Sequence, residues 1–366
     1  MSTVLNVNYD KKPCYDIIIN DSFEGLLEKV EELGFKGRKI AIITDTNVKP
    51  LYSNEILNIL TPASDKIVVY AIPAGEENKN LSEIEKIYEV LIENHFDRHD
   101  LIVALGGGVV GDMAGFTAAT YLRGISFIQI PTTLLAQTDS SIGGKTGVDF
   151  NGYKNMVGAF HMPRLVYMNL SCLGSLDARE YSSGMAEILK HGLIKDNKYY
   201  EWLINHFQEI NERDPDTLVH MIKRSCEIKR DVVEADPTEQ GERALLNFGH
   251  TIGHAIEKYM DLKLRHGECV ALGSVAASFI SYRRGYLSTE EYYEIRDMFV
   301  PFGLPITLPD DADAEKILKL TKSDKKMNGA QIRFILLKAC GRAYIDTSVT
   351  DEEILSGIKE LILTED

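Results

Sequence analysis

The chain has 366 residues and an ordinary globular composition, enough for one or two domains with a full apolar core. A formal net charge of −15 excludes broad binding to nucleic acid or to an acidic membrane surface, although a local basic cluster can still hold a small anion. Five scattered cysteines without CxxC spacing (Cys14, Cys172, Cys226, Cys269, Cys340) suit a reducing compartment and offer no thiolate metal site.

In chain order, Leu5–Tyr9 and Tyr15–Ile19 read as strands around the turn Asp10–Pro13. Leu26, Leu27, Val30 and Leu33 then mark a helix that stops at Gly34. Lys39–Thr44, Lys66–Ile72, Leu101–Leu105 and Ile125–Ile130 are short runs typical of buried parallel strands. Between the second and third, Ser82 and Glu85 form a capping box, and Ile84, Ile87, Tyr88 and Leu91 follow at helical spacing. From about residue 175 helical patterns dominate, at 178–194, 197–211, 215–234, 243–259 and 266–284. Another helix follows Ser288, whose capping box ends in Glu291, and Thr350 with Glu353 caps the last one. Gln331–Leu337 is the single late strand candidate. The expected fold class is α/β: a mostly parallel α/β domain over 1–175 and an all-helical domain over 176–366, with a ligand cleft between them. No apolar run reaches the roughly 18 residues of a membrane span. The N-terminal stretch lacks the basic start and apolar run of a secretory signal, so the cytoplasm is the expected location.

Four constellations bear on chemistry. The strand at Leu101–Leu105 runs into Gly106-Gly107-Gly108-Val109-Val110-Gly111-Asp112, a G-x-G-x-x-G pattern whose backbone N–H groups can cradle a pyrophosphate. It does not follow the first strand, and no acid lies about twenty residues on to take a ribose hydroxyl. It therefore reads as a general phosphate or dinucleotide loop, with a packing turn as the alternative. Pro131–Gly147 contains Gly143-Gly144-Lys145-Thr146, but Asp139 stands where a P-loop needs its first glycine. What survives is a loop presenting Lys145, Lys154 and Asn155 to oxyanions, with a polar surface loop as the alternative.

The third is Arg243–Glu257. Read as one helix, Arg243, Asn247, His250, His254 and Glu257 recur at spacings of 4, 3, 4 and 3 and form one polar face, while the other positions are mostly apolar. A buried stripe of this kind needs a ligand, metal or partner network. His250 and His254 have zincin spacing, but Thr251 replaces the expected glutamate. The fourth lies in two separate helices: Glu187 with Lys190 in one, and His266-Gly267-Glu268 opening the other. A divalent ion takes three or four such ligands. The candidates are Glu187, His250, His254 and His266, and spacing leaves open whether His254 is a ligand or a proton shuttle.

Together GGGVVGD, PTTLLAQTDSSIGGKTG, KNMVGAFH, GMAEILKHGLI, LNFGHTIGHAIE and HGE resemble, in order and spacing, the 3-dehydroquinate synthases, the sugar-phosphate cyclases of the shikimate pathway to chorismate and the aromatic amino acids. The resemblance runs from about Thr44 to Leu337. It implies an NAD-binding α/β domain, a helical metal-binding domain and an active site between them. It implies that Glu187, His250 and His266 hold the metal, zinc by expectation and cobalt as the alternative, and that His254 transfers protons. It assigns NAD contacts to Asp45, Asn47, Glu76, Lys79, Gly107, Gly108, Asp112, Thr132 and Thr133, with Lys145 and Lys154 beside them. Substrate phosphate and carboxylate fall to Lys145, Asn155, Lys190, Lys229, Arg243, Asn247, and Lys325 or Lys326, with Asp139 near substrate hydroxyls. Arg123 is implied to reach the neighbouring site of a homodimer.

The implied reaction takes an anionic seven-carbon 3-deoxy-heptulosonate phosphate through oxidation, phosphate elimination, re-reduction, ring opening and aldol closure. Two positions depart from the family: Cys172, often threonine, and Asn169, often aspartate, both near the cofactor. Glu257 is left without a role beyond a structural hydrogen bond. Competing readings are a related sugar-phosphate cyclase, a metal-dependent polyol dehydrogenase of the same fold, and a non-catalytic relative. Lys229, Arg243, Asn247 and the lysines of SDKK favour the carboxylate-bearing substrate.

Overall fold

The computed structural model describes residues 3–322 and 333–362, so Lys325, Lys326 and the start of the strand expected at 331–337 lie outside the described residues. The chain divides into two compact units, Met1–Leu176 with Lys229–Thr238, and Asp177–Ile228 with Glu239–Asp366.

The first unit contains β1 (Thr3–Tyr9), β2 (Lys12–Asn20), α1 (Leu26–Glu32), β3 (Arg38–Asp45), α2 (Lys49–Leu60), β4 (Ser64–Ile72), α3 (Leu81–Glu93), β5 (Leu101–Gly106), α4 (Gly108–Thr120), β6 (Ser126–Pro131), β7 (Lys145–Phe150), β8 (Tyr153–Phe160) and β9 (Leu165–Asn169). Seven strands form one sheet in the order β1-β2-β9-β6-β5-β3-β4. Only the hairpin β1–β2 is antiparallel. Strand alternation builds two cores from one run of residues. Ile40 and Ile42 enter the core that holds Leu26, Val30, Ile56 and Leu60 of α1 and α2. Ala41 and Ile43 enter the core that holds Ile84, Ile87, Val110 and Met113 of α3 and α4. With both faces covered, β5 is buried at every position, so it reads as continuously apolar rather than alternating.

The chain leaves β3 for β4 at the sheet edge and returns to β5 on the other side of β3. Such a reversal opens a crevice outside the carboxyl ends of the two strands. Two elements were not anticipated. β9 inserts between β6 and β2, and β7–β8 is a hairpin where the sequence read a loop. The cap of α3 is Asn80, whose side chain accepts from the Glu83 N–H at 3.1 Å; this corrects the capping box expected at Ser82.

The second unit contains α5 (Ala178–Lys195), α6 (Asn197–Asn205), α7 (Phe207–Glu212), most of α8 (Pro215–Ala235), α9 (His250–Tyr259), α10 (His266–Arg283), α11 (Thr289–Asp297), α12 (Ala314–Thr321), β10 (Phe334–Ala339), β11 (Arg342–Asp346) and α13 (Asp351–Glu360). Among the described residues its only strands are those of the hairpin β10–β11, where the sequence read one strand. The capping boxes at Ser288 and Thr350 form as expected.

The helix expected over 243–259 does not form in one piece. Glu242–Asn247 is a 3-10 turn, Gly249 is left-handed at φ 78°, and α9 begins at His250. Close packing causes the break: a Cβ on Gly249 would lie 2.5 Å from Ser274 Oγ and 2.8 Å from the Val270 carbonyl oxygen. Only glycine accepts both that conformation and that contact. Arg243 and Asn247 therefore do not continue the helical face of His250, His254 and Glu257.

Candidate functional site

In the first unit, candidate residues gather where parallel strands end. Asp45 closes β3, and its Oδ1 accepts from the backbone N–H groups of Asn47 and Val48, each at 2.8 Å, fixing the turn into α2. Gly107 and Gly108 follow β5 and open α4, so first-turn N–H groups point out of the strand end. Side chains there would crowd the turn: a Cβ on Gly107 meets Thr133 Cγ2 at 3.0 Å, and one on Gly108 meets Ser140 Oγ at 3.1 Å. Thr132 and Thr133 follow β6. The buried hydroxyls of Thr44 and Thr132 have no hydrogen-bond partner, an arrangement that a polar ligand at the strand ends would satisfy. A glycine cradle at a helix start, at a switch point, fits a dinucleotide.

Beside this cradle lies a buried ion cluster. Lys79 is 4% exposed and donates to Asp112 Oδ2 at 2.7 Å and to Asn155 Oδ1 at 2.5 Å. Burial pushes the Asp112 carboxyl above its usual value, against the pull of Lys79. Burial opposes the charge on Lys79, but Asp112 and Glu76 outweigh it and hold the ammonium above its ordinary value. Lys154 pairs with Glu76 at 3.2 Å. Asn155 is left-handed at φ 54°, and its N–H donates to Asp149 Oδ1 at 2.8 Å. Asn155, expected among the anion ligands, thus stands in the same cluster as Lys79. Asp139, on the short helix after β6, is ion-paired with Lys229. Lys145 begins β7 and is exposed. Arg123 stands apart on an exposed turn where Leu122 and Arg123 have φ of 50° and 67°.

In the second unit three helices converge. Glu187 on α5 is fully buried, and its Oε1 lies 3.2 Å from His266 Nε2 and 3.5 Å from His250 Nε2. One donor atom from each residue falls within 4.8 Å of the others. Two imidazole nitrogens and a carboxylate oxygen are a donor set that zinc-type ions accept. Burial, helped by Lys190, drives the His250 imidazole well below its ordinary pKa, so it stays neutral, as a ligand must. Its Nδ1 is 3.0 Å from the Phe248 carbonyl oxygen, which orients the ring and leaves Nε2 to face Glu187.

Two glycines bring the backbones together. A Cβ on Gly267 would sit 2.0 Å from the Ser183 carbonyl oxygen, and one on Gly273 would sit 1.9 Å from that of Gly249. These contacts set the spacing of α10 against α5 and against the turn into α9. The His254 ring centroid is 5.2 Å from that of His250 and 5.9 Å from that of His266. Lys190 ion-pairs with Glu187, and Arg243 is 2% exposed. Asn247 donates to Glu239 Oε1 at 2.7 Å. Glu239 was not singled out in the sequence; it has φ 60° and no motif around it. Asn169 caps the turn after β9, accepting from the Ser171 N–H at 3.0 Å. The neighbouring Cys172 thiol is buried and pushed up to about 12, so it is inert.

Fold and site together define the class of NAD- and metal-dependent cyclases. A 2-deoxy-scyllo-inosose synthase complexed with carbaglucose-6-phosphate, NAD+ and Co2+ superposes with a TM-score of 0.87 at 26% identity, covering 98% of this chain and 100% of that one. The 2-epi-5-epi-valiolone synthase of Streptomyces hygroscopicus, with NAD+ and Zn2+ bound, gives 0.87 at 27% identity, covering 98% and 99%. Glycerol dehydrogenase from Schizosaccharomyces pombe shares the fold at a TM-score of 0.65, with 15% identity over 94% of this chain and 87% of that one. The family models for the 3-dehydroquinate synthase N-terminal and C-terminal regions match residues 69–183 and 184–327. The 3-dehydroquinate synthase of Ruminiclostridium cellulolyticum is 42% identical over 95% of this chain and 96% of its own. That of Acetivibrio thermocellus is 42% identical over 97% and 98%. The chain belongs to the 3-dehydroquinate synthase family.

Proposed function

We propose that the chain converts a 3-deoxy-heptulosonate phosphate to 3-dehydroquinate and inorganic phosphate, using NAD and one divalent ion, zinc or cobalt. The observation that carries this reading is the convergence of Glu187, His250 and His266, with His254 alongside. The family match selects the substrate, and the cyclases solved with NAD+ and Zn2+ or Co2+ support the cofactors. When bound, NAD removes and returns a hydride and the ion acts as a Lewis acid on a substrate oxygen.

The protein's own groups do the rest. Asp45, Asn47, Glu76, Lys79, Asp112, Thr132, Thr133 and Lys154 shape the cofactor end, with Gly107 and Gly108 admitting the pyrophosphate. Lys145, Asn155, Lys190, Lys229, Arg243 and Asn247, with either Lys325 or Lys326, bind the substrate anions. Such charge-assisted contacts let a chain of net charge −15 hold a phosphate and a carboxylate. Asp139, through its pair with Lys229, positions substrate hydroxyls. His254 accepts and returns protons at its ring nitrogen, as an imidazole can near neutrality. Arg123 completes the partner's site in a homodimer. Among the described residues no helix is long and apolar enough to cross a membrane, and the cytoplasm is the proposed location.

The assay supplies the heptulosonate phosphate with catalytic NAD and measures inorganic phosphate and cyclic product. Phosphate release without net NADH is expected. NADH accumulating with turnover would establish a dehydrogenase, and no phosphate release would overturn the synthase reading.

A further inference from the structure

His250 has its orienting acceptor in the Phe248 carbonyl at 3.0 Å. Metal-bound imidazoles generally need such an acceptor on the nitrogen that does not face the ion. His266 opens α10, and its Nε2 faces Glu187. Glu257 is a buried carboxylate grouped with both His254 and His266. It follows His254 by three residues on α9, so the two share a helical face. It is 3% exposed, a depth at which a carboxylate is costly without donors around it. Its carboxylate oxygen and one ring nitrogen each of His254 and His266 all lie within 4.8 Å of one another.

We propose that Glu257 is a positioning residue that holds the His254 and His266 imidazoles in the orientation the metal site and the proton relay require. The inference rests on the metal reading above and adds a residue to it. A carboxylate only accepts hydrogen bonds, so it fixes the proton of each facing nitrogen on the ring and keeps the opposite nitrogen free to ligate or to take a proton. A glutamine amide offers one acceptor oxygen in place of two, without the charge, and turns donors toward the rings.

The test measures zinc and cobalt binding to the metal-free full chain by chelator competition, alongside steady-state kinetics at saturating metal. The variants are Glu257→Gln and Glu257→Asp. Wild type binding one ion upholds the metal reading independently. Glu257→Gln is expected to weaken metal binding by roughly 10- to 100-fold. It should also lower kcat with KM little changed, while the metal-free protein melts near the wild-type temperature. Glu257→Asp, which keeps the carboxylate, recovers part of both losses. Unchanged metal affinity in Glu257→Gln overturns the proposal, as does a fall in melting temperature with affinity intact. A second metal equivalent in wild type that vanishes in Glu257→Gln also overturns it, because Glu257 would then be a ligand.

Discussion

The two units build their candidate sites by different means. In the first, function sits on backbone: the ends of β3, β5 and β6, a helix start and two glycines that leave room for a ligand. In the second, it sits on side chains from three helices separated by 63 and 16 residues of sequence (187 to 250, 250 to 266). There glycines do the opposite job, removing Cβ atoms so that helices touch. A backbone site tolerates side-chain change but not bulk; a side-chain site tolerates neither loss of a donor nor a shift of its helices.

The largest expected effect lies in the second unit. His254→Ala should lower kcat by roughly 10²- to 10⁴-fold, the usual contribution of a positioned acid–base group. Its metal content, read by elemental analysis, should stay at wild type; an ion lost with the ring would make His254 a ligand and reverse the division between it and His266. In the first unit, Lys79→Met strands Asp112 in a buried place. Breaking a buried pair from one side costs about 3–5 kcal/mol, to be read from denaturant unfolding. Lys79→Met with Asp112→Asn should recover much of that stability without recovering NAD affinity, which would separate the structural part of this cluster from its cofactor part. Gly273→Ala comes next. Its Cβ would sit 1.9 Å from the Gly249 carbonyl oxygen, so the turn into α9 must move. Overpacking of this kind costs about 1–3 kcal/mol. Metal affinity should fall with it, whereas Gly107→Ala in the first unit should weaken NAD alone.

The sheet was legible in the sequence because strands covered on both faces are continuous apolar runs, as in Leu101–Leu105 and Lys39–Thr44. β9 was missed although Leu165-Val166-Tyr167-Met168 is such a run; five residues without an alternating pattern or a following helix give little to read. The hairpin β7–β8 was missed because glycines and hydroxyls along 143–147 read as a loop, yet Gly147 and Gly158 face each other there with no room for a Cβ. The donors Glu187, His250 and His266 were visible as residue types, but their division of labour came from the family resemblance. The false continuity of 243–259 has one cause, Gly249: periodicity cannot register a single left-handed residue inside an otherwise regular pattern. Glu239 and the Phe248 carbonyl were invisible because one has no motif and the other is backbone.

The smallest effect separates the units by pH. In the second unit, hydrogen bonds from Arg284 hold the Glu353 carboxyl below its usual value against partial burial. Asp346, also on Arg284 at 2.8 Å, is held low too, its burial outweighed by Ser348 and Arg284. Carboxylates lowered by folding contribute stability that is complete above their unfolded values, about 3.9 for Asp and 4.3 for Glu. That stability is lost as the pH falls through the folded values. Asp112 in the first unit is raised instead, so its protonation on acidification favours the folded state. The only tryptophan, Trp202, lies on α6 in the second unit, so its fluorescence reports there. Below roughly pH 4 the thermal transition seen by Trp202 should fall further than the first unit's, read by hydrogen exchange at the β5 amides. Arg284→Met should lower stability at pH 7 by up to about 1 kcal/mol, the scale of ion pairs that keep contact with solvent. It should also flatten the acid dependence of the Trp202 transition. An unchanged acid slope in that variant would remove Arg284 as its source.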